Sequence, residues 1–200
     1  MGKIFYIMGK SSSGKDTVFR ELLKKQTWNL KKIVLYTTRP PRTDEIDGID
    51  YFFVNEEILK DMERAGQVIE VRSYHTVYGV WKYFTADSEQ IDLKRNSYLA
   101  IGTLESYQKM KSYFGETRIV PVYIEVEDGE RLLRAVDREK KQEVPKYEEL
   151  CRRFLADSKD FDEEKLKSAG IKRRFSNNST LERCVEEILQ YIAEEEKLVF

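Results

Sequence analysis

Apolar positions along the chain fall into two patterns. Short unbroken runs, Ile4-Phe-Tyr-Ile-Met8, Tyr98-Leu-Ala-Ile101 and Ile119 to Val126, read as buried strands. Stripes at helical spacing predict helices: Val18, Phe19, Leu22 and Leu23; then Ile58, Leu59, Met62 and Ala65, closed by Gly66; then Leu132, Leu133 and Val136; finally Leu181, Val185, Ile188, Leu189 and Ile192. Further strands are predicted over 32–38, 49–54, 67–71 and around Tyr78, and further helices from about Thr103 and over 150–159. Strands alternating with helices imply an α/β fold, a mostly parallel sheet with right-handed crossovers and helices packed against it.

Two segments interrupt that alternation. Residues 33–84 are strand-rich and carry the polar, Pro- and Gly-punctuated stretch from Arg39 to Gly48, so they read as a small mixed insertion. Residues 137–150, "DREKKQEVPKYEEL", are too polar for a core. The remaining stretches, 1–32, 85–136 and 151–200, form the expected core of one domain.

Composition narrows the possibilities. An apolar fraction of 40% supports a packed core despite 36% charged residues. Lys+Arg at 35 and Asp+Glu at 36 nearly cancel, so no global field draws nucleic acid or an anionic membrane, and any anion must be held by a local site. Cys151 and Cys184 are too few for a zinc site or a disulfide framework, and both are expected as small packed side chains. No signal-peptide core or span-length apolar run is present, which makes a cytoplasmic protein the expectation.

The local anion site is legible at once. Gly9-Lys-Ser-Ser-Ser-Gly-Lys-Asp-Thr17 lies between the first strand and the first helix and follows the spacing of a phosphate-binding loop. Gly9 and Gly14 let the backbone N–H groups of Lys10, Ser11, Ser12 and Ser13 turn toward one anion, and Lys15 reaches the outer phosphates of a nucleotide. The helix starting near Lys15 adds its positive dipole end. The pattern then asks for Ser or Thr to ligate Mg²⁺, and the residue there is Asp16. A carboxylate is itself a Mg²⁺ ligand. Asp16 equally suits a first helical turn, and Thr17 offers a hydroxyl about 100° further round the helix.

The segment Thr37 to Val54, "TTRPPRTDEIDGIDYFFV", resembles the guanylate kinase family: Thr37, Thr38, Arg39, Pro41, Arg42, Glu45, Gly48, Asp50, Tyr51, Phe53 and Val54 match its pattern. With the loop and the downstream arginines, the resemblance covers nearly the whole chain. It implies a P-loop kinase fold with an acceptor-binding insertion over 33–84 and a lid over 137–150. It also implies ATP and GMP as substrates, with Mg²⁺. Arg39 and Arg42, three apart on a polar loop, can bring both guanidinium forks to one phosphate. By resemblance they grip the acceptor phosphate with Tyr51 and Tyr78. Glu70, between apolar neighbours in "VIEV", is by resemblance the carboxylate that reads guanine, while strand alternation alone makes it an outward residue. Arg134 and Arg138 lie one turn apart; with Arg153, and with Lys15 and Arg39, the resemblance makes them the catalytic charges around the transferred phosphoryl group. Asn177 and Asn178 fall near the family's adenine-side loop.

Four positions depart from the family pattern. Leu35 and Val80 stand where small hydroxyl residues help to read the base. The third strand ends Leu99-Ala-Ile-Gly102 without the family's carboxylates, and Asp16 is the fourth. Asp16 thus reads as a moved magnesium ligand. The loop and strand end are similar to ribose 1,5-bisphosphate phosphokinase, which makes another phosphorylated acceptor the alternative to GMP. A non-catalytic guanylate-kinase-like binding module is the third reading. His75, the one histidine, reads as a surface or stacking residue. Oligomeric state is not legible.

Overall fold

The computed structural model describes residues 2–25, 30–76 and 79–197. Its centre is a five-stranded parallel sheet with strand order β2-β7-β1-β8-β9. These strands are β1 (Ile4–Met8), β2 (Lys31–Lys32), β7 (Tyr98–Gly102), β8 (Ile119–Glu125) and β9 (Arg174–Ser176). Every residue of β1 is buried, because it is the middle strand and is covered on both faces. Alternation along it divides the core in two. Ile4, Tyr6 and Met8 face α3 (Leu104–Phe114) and α6 (Glu163–Ser168) through Leu104, Tyr107, Met110 and Leu166. Phe5 and Ile7 face α1 (Lys15–Lys24) and α7 (Leu181–Lys197) through Val18, Leu22, Val185, Ile188 and Ile192.

A second sheet of four strands is built from β3 (Leu35–Thr37), β4 (Tyr51–Phe53), β5 (Val68–Thr76) and β6 (Gly79–Ala86), in the order β4-β3-β6-β5. The expected single strand over 32–38 is therefore two strands in two sheets. Ile33 still donates to Leu99 O at 2.9 Å in the core sheet. At Val34 the side chain of Gln90 takes over both backbone groups, at 2.8 and 3.1 Å, and the chain leaves for the second sheet. One face of that sheet packs Tyr36, Val68, Val71 and Phe84 on Leu59 of α2 (Glu56–Arg64). The opposite face carries Thr37, Glu70, Arg72, Tyr83 and Thr85, with Glu70 opposite Thr85 and Arg72 opposite Tyr83 in register. The register shifts between Val68 and Glu70, a bulge in β5.

Two expectations about packing are corrected. In α4 (Asp128–Lys140) the buried residues are Arg131 and Ala135, while Leu132 and Leu133 are 39% and 63% exposed. The helix turns a polar face inward because it covers a loop whose backbone groups need partners. Cys151, on α5 (Tyr147–Asp160), is exposed, whereas Cys184 is buried.

Candidate active site

β1, β7 and β8 all deliver their C-terminal ends to one edge of the core sheet, where crossover connections leave backbone groups free to meet a ligand. The loop after β1 wraps tightly there. A Cβ on Gly9 would stand 2.6 Å from Ile124 O, so only glycine lets β1 run so close to β8. Gly14 has φ 81° and Ser12 φ 63°, a left-handed geometry that helps to turn successive N–H groups inward.

Three side chains hold this loop. Asn177 donates to Ser13 O at 2.8 Å, Asp157 accepts from Ser11 N at 2.7 Å, and Arg131 donates to Ser11 O at 3.0 Å. Arg131 is 1% exposed, also donates to Asp128 at 2.7 Å, and lies over the Phe154 ring. Burial is the largest single influence on Asp128 and disfavours its ionisation, but the hydrogen bonds and charges of Arg131 and Lys10 together outweigh it and hold the carboxyl below its usual range. Lys10 reaches Asp128 at 3.3 Å. The hydroxyls of Ser12 and Ser13 are buried with no partner among the described residues, the polarity expected of a loop that binds oxygen atoms.

The expected arginines divide. Arg138 of α4 and Arg153 of α5 line one pocket with Ser11 and Ser12, and Arg153 Nη2 lies 3.4 Å from Ser11 Oγ. Arg134 turns elsewhere, donating to Glu130 at 2.8 Å and to Asn177 O at 2.9 Å. Lys15 lies 3.4 Å from Asp16, whose side chain is 75% exposed at the start of α1. Thr17 is half-buried on the next position of that helix.

The described residues contain no group of three or more His, Cys, Asp or Glu side chains able to share a metal. A Mg²⁺ that arrives on nucleotide phosphates needs only one or two carboxylates, so an exposed Asp16 beside the phosphate loop fits one. The strand end explains the absent acids differently. A Cβ on Gly102 would collide with the Tyr6 hydroxyl, which donates to Ser106 Oγ at 2.7 Å. That pair fills the space a larger side chain would need.

On the insertion, Arg39 is 3% exposed and almost fully engaged. Its Nε donates to the Tyr83 hydroxyl at 3.0 Å, and its two terminal nitrogens clasp Glu45 at 2.8 Å each. A further N–H goes to Pro40 O at 2.7 Å, which leaves one N–H on Nη2 without a partner among the described residues. The hydrogen bond to Glu45 is the main reason the Arg39 guanidinium rises above its ordinary range, and the same bond lowers the Glu45 carboxyl. Arg42 is exposed, with only its backbone N–H tied to Glu45, at 2.8 Å. Tyr51 packs edge-on against Tyr83 beneath Arg39, and burial raises its phenol. Tyr78 lies outside the described residues. His75 is exposed opposite Val80 on the β5–β6 hairpin.

Glu70 is fully covered, accepting from Thr85 at 2.8 Å and from Arg72 at 3.1 and 3.3 Å. Glu70 lies on the face opposite Val71, as alternation gives, but it does not meet solvent there, because Thr85 and Arg72 cover it. Sequence reasoning missed Tyr83, Arg72, Arg131 and Asp157. Nothing local marks Arg131, Tyr83 or Asp157, since the apolar stripe of α4 at Leu132 and Leu133 points away from the face that Arg131 buries.

A glycine-bent loop between a buried strand and a helix, flanked by arginines from two further helices, defines the class: an α/β protein with the architecture of a phosphate-loop protein at the end of a parallel sheet. The chain belongs to the guanylate kinase family, whose family model, described as guanylate kinase, matches residues 1–163. It is similar to the guanylate kinase of Nitrosomonas europaea, 42% identical over 94 residues, covering 45% of this chain and 46% of that protein. It is also similar to that of Clostridioides difficile, 39% identical over 82 residues and 40% of each chain. The chain thus spans less than half the length of these curated relatives. The crystal structure of guanylate kinase from Anaplasma phagocytophilum shares the fold, with a TM-score of 0.66 at 20% identity over 97% of this chain and 86% of that one. Among the described residues no helix is long and apolar enough to cross a membrane.

Proposed function

We propose that the protein transfers the γ-phosphoryl group of ATP to GMP, giving ADP and GDP. The observation that carries this reading is the meeting of Arg138 and Arg153 beside Ser11 and Ser12 of the phosphate loop. A guanidinium from each of two helices there stabilises the charge that spreads over a transferring phosphoryl group. Lys15 and the loop N–H groups hold the donor; Arg42, the free N–H of Arg39 and Tyr51 hold the acceptor phosphate. Tyr83 and Glu45 fix the Arg39 guanidinium, and Arg131 and Asp157 fix the loop. The attacking group is already a phosphate oxygen, so no general base is needed.

Asp16 is the residue that would hold Mg²⁺, and the ion when bound neutralises phosphate charge. Residues 33–84 act as the acceptor-binding insertion and 137–150 as the lid, in a cytoplasmic enzyme. Family membership and the matching stretches of curated guanylate kinases support this reading. A coupled assay of ADP release with GMP and dGMP tests it. Absence of turnover from well-folded protein that binds ATP would sink it.

A further inference from the structure

A guanidinium carries five N–H groups in a rigid planar fork, and protein partners account for four of those on Arg39. Nη1 and Nη2 each give one to Glu45 at 2.8 Å, across the end of the fork. The second N–H of Nη1 goes to Pro40 O at 2.7 Å, and Nε donates to the Tyr83 hydroxyl at 3.0 Å. The fifth, on Nη2, has no partner among the described residues. Covalent geometry fixes its direction. With the end of the fork closed by Glu45, it lies on the side edge, parallel to the N–H of Nε. Arg39 is buried, and a buried donor without an acceptor calls for a ligand or a water.

Tyr83 raises the same question from its own side. Its oxygen accepts from Nε, so its proton is left to donate, and no acceptor for that proton occurs among the described residues. Two unpaired donors therefore stand side by side. An oxygen that takes the free N–H of Nη2 occupies one seat of the side edge, and the Tyr83 oxygen already occupies the other. Acceptors on two parallel N–H groups of one guanidinium sit within hydrogen-bond reach of each other. Two bare oxygens there would repel, but a phenol can turn its proton into the gap. The bond from Nε draws electron density from the phenol oxygen and makes that proton a better donor. The ring is held edge-on by Tyr51, with centroids 5.7 Å apart, and by Tyr74 at 5.5 Å. Pairing of β6 with β3 sets Tyr83 opposite Thr37, two residues before Arg39, so sheet register brings the two together.

We infer that Tyr83 is a further binding residue of the acceptor site: its phenol donates to the same phosphate oxygen that takes the free N–H of Arg39. The inference rests on the reading that Arg39 and Arg42 hold the acceptor's phosphate. The ligand class is a phosphomonoester, because the phenol and the guanidinium edge both offer protons and only an anionic oxygen rewards both. The nucleoside without its phosphate gains nothing from either.

The experiment measures the Kd of GMP by calorimetry and the inhibition of GMP turnover by guanosine. The full chain is compared with Tyr83→Phe and with a chain carrying fluorotyrosine at this position, its fluorine beside the hydroxyl. Each is checked by thermal melting. Tyr83→Phe keeps the ring between Tyr51 and Tyr74 and should weaken GMP by roughly 10- to 100-fold, the loss of a hydrogen bond to a charged group. Guanosine inhibition and ATP binding should scarcely change. Fluorine makes a phenol a stronger donor and a weaker acceptor. At a pH where the phenol stays protonated, the fluorinated chain should bind GMP more tightly than wild type. Weaker binding by that chain would show that Tyr83 acts only as an acceptor that steadies Arg39, and would overturn the inference. So would an unchanged GMP affinity in Tyr83→Phe, or an equal loss for GMP and guanosine. Failure of the wild-type chain to bind GMP at all would remove the acceptor reading, and this inference with it, and is seen without any variant.

Discussion

The side-chain nitrogen of Asn177 lies 2.5 Å from the point where a Cβ on Gly14 would stand, and it donates to Ser13 O at 2.8 Å. One buried amide therefore seals the phosphate loop at the position that most needs glycine. Gly14→Ala meets both a φ of 81° and this anchored amide. The backbone part alone costs about 1–2 kcal/mol. We expect a lower melting temperature and weaker ATP binding by calorimetry. Asn177→Ala should open the space, so the double variant should lose less than the sum of the two single losses. Full additivity would show that the two residues do not share one site.

Asp16 separates metal from nucleotide. Its carboxylate is exposed, and its ion pair with Lys15 is loose at 3.4 Å. We expect Asp16→Ala to raise the Mg²⁺ concentration needed for half-maximal turnover by roughly tenfold or more, in line with the loss of a direct carboxylate ligand. Nucleotide binding measured in the presence of a chelator should change little. Equal effects on both measurements would make Asp16 a helix-start residue only.

Gly102 tests why the strand end lacks a side chain. Gly102→Ala drives a methyl into the Tyr6–Ser106 hydrogen bond. The surrounding core is full, so we expect destabilisation of about 1–3 kcal/mol by urea unfolding. Tyr6→Phe removes the colliding hydroxyl and should recover part of that loss in the double variant. No recovery would place the strain elsewhere in the strand.

Alkaline pH should loosen the core in a defined window. Burial pushes the phenols of Tyr107 and Tyr123 from an ordinary value of 10.0 up to about 12. A raised folded-state pKa favours the neutral phenol, so this stability is intact below pH 10 and is lost as pH climbs toward 12. Urea midpoints taken across that range should fall steadily. Tyr123→Phe keeps the ring stacked on Phe161 and should flatten the fall. An unchanged slope would show that Tyr123 does not contribute to it.

The elements were legible because they rest on local pattern. The runs at Ile4, Tyr98 and Ile119 became the three inner strands, and the stripes at Val18 and Val185 became α1 and α7. The phosphate loop was legible because its glycines and lysine act through their own backbone and immediate neighbours. The stripe of α4 misled. Leucine spacing gives a helix its period, but the inward face is chosen by what lies opposite, and opposite α4 lie the Ser11 carbonyl and Asp157.

The site divides along the same line. Sequence by itself determined the class of fold, the phosphate-loop pattern, and the arginines from which the candidate site is assembled. Tertiary structure decided which of them are available: Arg138 and Arg153 reach the loop, Arg134 is spent on Asn177, and Arg39 is clasped by Glu45 and Tyr83. It also decided that Arg72 rather than Glu70 lines the cavity between the insertion sheet and α3. A side chain's type and spacing are local properties. Which of its donors remain unpaired depends on partners brought from distant strands and helices, and those are set only when the chain packs.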